Sequence, residues 1–148
     1  MRIAPAQIWH LPHLAVILWG FTRVTPWLPQ VRSRLDDLRA LSSVIRWGWV
    51  RVIHERGKVA GFLVRDGDIL HALYVHPARR GRGLGRTLLA EAKAEAGMLR
   101  LWVVEANAAA RVFYERQGFV EAARSHGLGN DEGLPDILMV WRGEGEGA

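Results

Sequence analysis

The segment Val75–Leu89, VHPARRGRGLGRTLL, connects an apolar run with strand character to a leucine-spaced run with helix character. The preceding run, Ile69–Val75, reads ILHALYV, and after Gly85 the apolar residues recur at the spacing of one helix face. The connection contains three glycines and four arginines: Gly81, Gly83, Gly85, Arg79, Arg80, Arg82 and Arg86. Because the first turn of a helix has free N–H groups and positive potential, this junction predicts an anion-binding site.

Two common phosphate motifs are excluded at this junction by specific residues. A P-loop requires Gly-Lys-Ser/Thr, whereas Gly85 is followed here by Arg86 and Thr87. The dinucleotide pattern G-x-G-x-x-G requires glycine at position 86, and it follows a strand of a parallel unit. Any anion bound here therefore belongs to another class of ligand, and a solvated basic loop that caps the helix is the alternative interpretation.

The residues before the junction predict an antiparallel meander of three strands. WVRVIHE (49–55) alternates between apolar and polar residues, and VAGFLVR (59–65) follows the turn RGK. ILHALYV then follows DGD, which is a strong turn signal. Tight turns between consecutive strands make neighbouring strands antiparallel.

Further strands and helices are predicted on either side of the meander. The helices are predicted over residues 13–21, 30–46, 84–96 and 108–117, and the strands over residues 1–6, 99–104, 119–124 and 136–141. The prolines of TPWLP (25–29) separate the first two helices. This order predicts a mixed α/β fold around one sheet. We expect one domain over residues 1–142 and a disordered tail over residues 143–148.

Composition excludes several kinds of site. The chain has 148 residues, a net charge of +5 and no cysteine, so a disulfide framework, a thiolate zinc site and a cysteine nucleophile are excluded. The apolar run Leu14–Phe21 is shorter than the roughly 20 residues that span a bilayer, and no cleavage pattern follows it. We expect a cytoplasmic protein without membrane contact. The spacing of His10, His13, His54 and His126 is not that of metal ligands, so no metal is expected.

Two motifs resemble those of one known family. Arg80-Gly81-Arg82-Gly83-Leu84-Gly85 is similar to the R-x-x-G-x-G motif of the GCN5-related N-acetyltransferases (GNAT family). The family's second signature, N-x-x-A-x-x-F-Y-x-x-x-G-F, is matched by Asn107, Ala110, Phe113, Tyr114, Gly118 and Phe119. The resemblance extends over residues 49–141. It implies the GNAT-like acyl-CoA N-acyltransferase fold, with a mostly antiparallel central sheet that is splayed between strands 4 and 5 and flanked by helices.

The resemblance also implies the cofactor and the residues that bind it. In this family the loop amides bind the diphosphate of acetyl-CoA, and the pantetheine arm pairs with the backbone of strand 4 in the gap beside strand 5. The implied coenzyme-binding residues are Leu73, Tyr74, Val75, Arg80, Gly81, Arg82, Gly83, Leu84, Gly85, Arg86, Asn107 and Tyr114. The implied enzyme is an acetyl-CoA-dependent N-acetyltransferase that moves an acetyl group directly to a primary amine in a ternary complex.

Five residues are candidates for proton transfer, one as the acid and four as the base. A phenol with a pKa near 10, here Tyr114, can donate a proton or hydrogen bond to the departing thiolate. His71 in strand 4 is a candidate base because its ordinary pKa suits proton removal at neutral pH. Glu105 at the end of strand 5 is the rival base, with Glu132 and Asp136 as further candidates. A chain of water molecules without a single base is also consistent with the family.

Other interpretations of these residues stay open. Asn107 precedes a helix, where asparagine is a favoured N-cap, and His76 beside Pro77 is interpreted as structural. The same domain without catalysis would be a coenzyme A sensor or partner. A basic nucleic-acid-binding module is the weaker alternative, because the arginines are local and no recognition motif is present.

The acceptor is not identified by the sequence. Trp27 beside Pro26 could stack on a ligand, and Asn130, Asp131 and Glu132 could meet an ammonium group, although packing and a polar turn explain them as well. The expected partners are therefore a coenzyme A thioester and an unknown amine, with neither nucleic acid nor membrane. The family resemblance also allows a homodimer.

Overall fold

The computed structural model describes residues 1–23, 25, 33–126 and 133–143. Within these residues the chain forms seven strands: β1 (Arg2–Pro5), β2 (Val50–Glu55), β3 (Lys58–Asp66), β4 (Ile69–Val75), β5 (Met98–Val104), β6 (Val120–Ser125) and β7 (Asp136–Arg142). The described helices are α1 (Leu11–Arg23), α2 (Arg34–Arg46), α3 (Leu84–Glu95) and α4 (Ala108–Arg116), with short 3-10 turns at Ile8–His10 and Pro77–Arg79.

The strands form one mixed sheet in the order β1-β2-β3-β4-β5-β7-β6. Strands β2, β3 and β4 are the predicted antiparallel meander, and the mixed α/β fold class is confirmed. The pair β4–β5 is parallel, and its only register pair in these fully described strands is Ile69 with Arg100. Farther along β4, Leu73 and Val75 have no register partner in β5. The sheet therefore opens between β4 and β5 towards their carboxyl ends, as predicted.

Apolar side chains form one core on each face of the sheet. On one face, Leu84, Leu88 and Leu89 of α3 pack with Leu99 of β5 and Phe119. On the other face, α1 and α2 cover the meander through a second set of buried side chains, which includes Leu14, Ile17, Leu41, Ile45 and Phe62. The sheet is thus the middle of three layers, an arrangement that buries the central residues of β3.

Local signals explain where the helices begin and end. Ser33 caps α2 by accepting a hydrogen bond from the Asp36 N–H (3.1 Å), and the Ser33 N–H donates to the Asp36 carboxylate (3.3 Å). The predicted start of this helix at residue 30 lies outside the described residues. At the other end of the chain, the Gly143 N–H donates to the Gly97 carbonyl (2.8 Å), so the first residue of the predicted tail is held beside the α3–β5 connection. Residues 144–148 are not among those described.

Candidate active site

The connection from β4 to α3 is fixed at its start by His76. The His76 N–H donates to the Ala60 carbonyl (2.7 Å), and the imidazole Nδ1 accepts from the Ala78 N–H (3.1 Å). Pro77 then begins the short 3-10 turn, where a missing N–H costs nothing. These contacts agree with the structural role predicted for His76.

Two of the three glycines in the loop have backbone angles that other residues adopt only with strain. Gly81 and Gly83 both have φ of +79°, and Gly83 is the N-cap of α3. Gly85 differs, because a Cβ there would lie 3.5 Å from the Phe113 ring and 3.8 Å from Val75, which is ordinary contact distance. Gly81 and Gly83 therefore shape the turn, whereas Gly85 lies where α3 packs closely against α4 and β4.

The start of α3 presents backbone donors to the loop. The first intrahelical hydrogen bond runs from the Thr87 N–H to the Gly83 carbonyl (3.0 Å), and the Thr87 hydroxyl donates to the same carbonyl (2.8 Å). The helix itself supplies no acceptor for the N–H groups of residues 83–86. Because the positive end of the helix dipole lies here too, an anion is favoured at this position.

The arginines of the loop have different surroundings. Arg80 and Arg86 are exposed, and the Arg86 guanidinium lies over Gly83, with Nη2 3.3 Å from where a Cβ would be. Arg82 instead donates to the Glu55 carboxylate (2.8 Å), which also accepts from Arg79 (2.7 Å). Glu55 was missed by sequence reasoning, because no motif connects the end of β2 with a loop more than twenty residues away.

The three β4 residues predicted to bind pantetheine divide between the two cores. Leu73 and Val75 pack against the α3 side of the sheet, and Tyr74 packs on the opposite side near Phe21 and Phe62. Such alternation is the ordinary consequence of a strand's two-residue period. Their side chains are therefore core, as expected, and their predicted coenzyme contact concerns the main chain.

His71 occupies an irregular position of β4. Val64 pairs with Ala72 and Arg65 with Leu70, so His71 is an extra residue in the ladder, a β-bulge. Its exposed imidazole stacks on the Trp49 indole, with ring centroids 5.3 Å apart and an interplanar angle of 6°. The bulge and the stack together fix the direction of the ring.

Glu105 lies beyond the end of β5 and has an ionic partner. Its carboxylate is 3.2 Å from the Arg124 guanidinium, and its backbone carbonyl accepts from Arg111 (3.2 Å). Glu105 also lines a cavity of about 370 Å³ together with Val104, Ala106, Arg111, Leu134 and Pro135. Among the described residues, Glu105 contacts Arg124 and His71 contacts Trp49, so the two candidate bases have separate surroundings.

Asn107 precedes α4 and Tyr114 lies within it. The Asn107 side chain accepts from the Ala110 N–H (3.2 Å), which is the N-cap that the sequence allowed as one interpretation. Tyr114 is buried, and its ring meets Phe113 and Phe119 edge-on at centroid distances of 5.2 and 5.4 Å. Burial raises the pKa of Tyr114 well above its ordinary value, with a smaller contribution from Tyr74. The phenol is therefore protonated at neutral pH.

Several predicted residues lie elsewhere. Asp136 begins β7, opposite Val104 and Ser125 in the register. Pro26, Trp27, Asn130, Asp131 and Glu132 lie outside the described residues. The described part of the chain contains no group of three or more histidine or acidic residues placed to hold a metal ion. Nor is any of its helices both long and apolar enough to span a membrane.

Comparison with known proteins agrees with this geometry. The family model described as "Acetyltransferase (GNAT) domain" matches residues 46–121, a range that includes β4, the glycine loop and α4. The chain belongs to the GNAT acetyltransferase family. It is an acetyl-CoA-dependent N-acetyltransferase by class, and the resemblance inferred from the two sequence motifs is confirmed.

Three relatives illustrate the likeness. The chain is 39% identical to the peptidyl-lysine N-acetyltransferase YjaB of Escherichia coli over 74% of this chain and 73% of the relative. It is 30% identical to the peptidyl-lysine N-acetyltransferase YiaC of the same species, over 83% and 81% respectively. The solution structure of apo YjaB superposes with a TM-score of 0.79 at 26% identity, over 97% and 99% of the two chains. The putative acetyltransferase yncA of Salmonella typhimurium, solved with acetyl-CoA, shares the fold at a TM-score of 0.70 and 24% identity, over 96% and 93%.

Proposed function

We propose that this GNAT enzyme transfers an acetyl group from acetyl-CoA to the side-chain amine of lysine residues in proteins. The observation that carries the proposal is the glycine turn at the N-terminus of α3, directly beside the place where β4 and β5 separate. The choice of acceptor is supported by the two relatives named as peptidyl-lysine N-acetyltransferases.

In this proposal the coenzyme is bound mainly by backbone groups. The N–H groups of residues 83–86 hold the diphosphate, because two positive-φ glycines let it approach the chain closely. Arg80, Arg82 and Arg86 add positive charge, and the main chain of Leu73, Tyr74 and Val75 receives the pantetheine arm in the gap beside β5. Asn107 keeps its capping role and borders the same gap.

The chemistry is a direct transfer. The amine nitrogen bonds to the thioester carbon, the carbon–sulfur bond breaks, and the amine gives up one proton to the base. The sulfur leaves as a thiolate that accepts a hydrogen bond and is then protonated by water. Since the sequence contains no cysteine, no acetyl-cysteine intermediate precedes the transfer. A backbone N–H group at the open edge of β4 would stabilise the carbonyl oxygen as negative charge develops.

Tyr114 and His71 are the proposed donor and base. Because burial raises the pKa of Tyr114, donating a hydrogen bond to the thiolate is favoured over complete proton transfer. His71 is preferred to Glu105 because its ring is exposed and oriented by Trp49, whereas the Glu105 carboxylate is paired with Arg124. The Arg124 guanidinium thus occupies one oxygen of the Glu105 carboxylate, whereas the edge of the His71 ring stays exposed.

The test is acetylation of peptides that each contain one lysine and a blocked N-terminus. Peptides with a free N-terminus and no lysine, and small amines, are tested for comparison. Mass spectrometry should locate the acetyl group on the lysine side chain, with one free thiol released per acetyl group. Transfer only to N-terminal or small amines would contradict the proposed acceptor. Binding of coenzyme A without any transfer would instead support the sensor alternative.

The variant Gly83→Glu tests whether the loop is the coenzyme site. A carboxylate there would occupy the space of the diphosphate and repel it, so calorimetry should detect no coenzyme A binding. Gly48→Glu is the matched control, because Gly48 has the same φ of +79° with nothing within 4 Å of a Cβ. It therefore carries the same backbone strain away from the loop. If Gly83→Glu folds and binds coenzyme A as well as the control does, the loop assignment is wrong.

A further inference from the structure

Glu55 forms a contact between the end of β2 and the coenzyme loop. One oxygen, Oε1, accepts a hydrogen bond from Nη1 of Arg79 at 2.7 Å and from Nη1 of Arg82 at 2.8 Å. The Glu55 side chain is only 13% exposed, whereas that of Arg82 is 49% exposed. The Glu55 side chain is therefore much less exposed to solvent than that of its partner Arg82.

The chain fixes the position of Glu55 firmly. It is the last residue of β2 and pairs with Lys58 across a two-residue turn. That turn consists of Arg56 and Gly57, both with positive φ (54° and 78°), which is the geometry that matches the twist of a tight hairpin. The backbone of Glu55 is therefore held in place at the end of a tight hairpin.

The loop, in contrast, contains the residues with the greatest conformational freedom. Arg82 lies between Gly81 and Gly83, and glycine loses more backbone entropy on ordering than any other residue. A loop that must be ordered when its ligand binds loses affinity, whereas a loop that is already ordered does not. Because Arg82 lies between Gly81 and Gly83, holding its side chain restricts the backbone of both glycines.

We propose that Glu55 is a positioning residue that holds Arg79 and Arg82 and so keeps the loop in the shape that presents the first-turn amides of α3 to the diphosphate. The inference rests on the proposed coenzyme role of this loop. Hydrogen bonds from Arg79 and then Arg82 lower the pKa of Glu55, so the carboxylate is charged at neutral pH. Glu55 acts through the arginines and does not itself contact the ligand.

The proposal can be tested because removal of the Glu55 charge has opposite expected effects on coenzyme A affinity. Electrostatics alone predicts tighter binding, whereas loss of the positioning role predicts weaker binding. Removing a negative charge beside an anion site should strengthen anion binding if Glu55 only competes with phosphate for Arg82. If Glu55 positions the loop, Glu55→Ala should weaken binding of coenzyme A by about fivefold or more, measured by calorimetry. Equal or tighter binding by the variant would overturn the proposal.

The matched control is Glu91→Ala. Glu91 accepts two hydrogen bonds from Arg51 (2.7 and 2.9 Å), so its loss also removes a carboxylate–guanidinium pair between β2 and another element. Urea unfolding should show similar losses of stability for the two variants. Affinity for coenzyme A should stay within about twofold of wild type for Glu91→Ala. If both variants lose affinity equally, Glu55 has only a general structural role and the proposal is wrong.

Two further variants assign the effect to the loop. Glu55→Gln retains the oxygen that accepts from both arginines, so it should recover most of the affinity and also serves if the alanine variant does not fold. In an Arg82→Ala background, Glu55→Ala should lower the affinity for coenzyme A much less, because the arginine that Glu55 positions is then missing. If the losses of affinity of the two single variants simply add in the double variant, the proposal is contradicted. Wild-type protein that binds no coenzyme A would contradict the proposed function itself, which separates that failure from the failure of the Glu55 proposal.

Discussion

At the scale of single residues, Tyr114 connects the core with the proposed chemistry. The sequence identified it through the spacing of the second motif but not its degree of burial, which depends on Phe113 and Phe119 packing around it. Burial removes the phenol from water and disfavours its charged form. The residue that supplies the proposed hydrogen bond is thus also part of the core.

The protonation of Tyr114 can be measured because the chain has only two tyrosines, Tyr74 and Tyr114. Since the native pKa of Tyr114 is raised above its ordinary value of 10.0, this phenol should stay protonated in the folded protein beyond about pH 10. Its contribution to stability is complete below that pH and is lost as the pH rises towards the native value. The absorbance of tyrosinate at 295 nm should therefore follow the same curve in native wild type and in Tyr114→Phe up to about pH 11.

Denatured protein is the control for this titration. In concentrated guanidinium chloride the wild type should show one more ionising tyrosine than Tyr114→Phe. An additional tyrosine that ionises near pH 10 in the native wild type, and is missing in the variant, would show that the buried phenol is not perturbed.

At the scale of elements, Asn107 caps α4 and also lies beside the proposed coenzyme site. Asn107 accepts from the Ala110 N–H and so satisfies one of the free donors at the start of a helix of nine residues. A short helix depends strongly on such a cap. The cap and the proposed position beside the coenzyme are compatible, because the cap uses only the side-chain oxygen.

Replacing Asn107 tests its role as the cap of α4. Asn107→Ala should lower the free energy of unfolding by about 1 kcal/mol, measured by urea denaturation, because the cap is lost. Asn107→Asp keeps an oxygen that can accept from the Ala110 N–H, so it should retain most of the stability. Equal losses for both variants would show that the cap does not stabilise α4.

Most elements could be predicted from local sequence signals. Turn residues at DGD and RGK delimit the meander, and the change of period after Gly85 marks α3, because both signals arise from neighbours in the chain. The position of β7 between β5 and β6 was not predicted, since strand order depends on pairing between distant segments. The same reason explains why the bulge at His71 was missed.

At the scale of the whole molecule, the parallel pair β4–β5 places the two sequence motifs side by side. One motif follows β4 and the other follows β5, and Gly85 of α3 lies against Phe113 of α4. The fold and its opening between β4 and β5 followed from the family resemblance. The partners of the candidate residues did not, because Glu55 with Arg82 and Glu105 with Arg124 are contacts between segments that no motif relates. The division of the chain at residue 142 stays a prediction.

Backbone amides at the start of α3 are proposed to bind the diphosphate of coenzyme A. The most direct measurement is a titration of ¹⁵N-labelled protein with coenzyme A, followed by amide NMR and repeated with pantetheine, which lacks the diphosphate. We expect large shifts of the amides of Gly83, Leu84, Gly85 and Arg86 with coenzyme A and much smaller shifts with pantetheine. Unchanged amides at these four residues, with the largest shifts in another part of the chain, would contradict it.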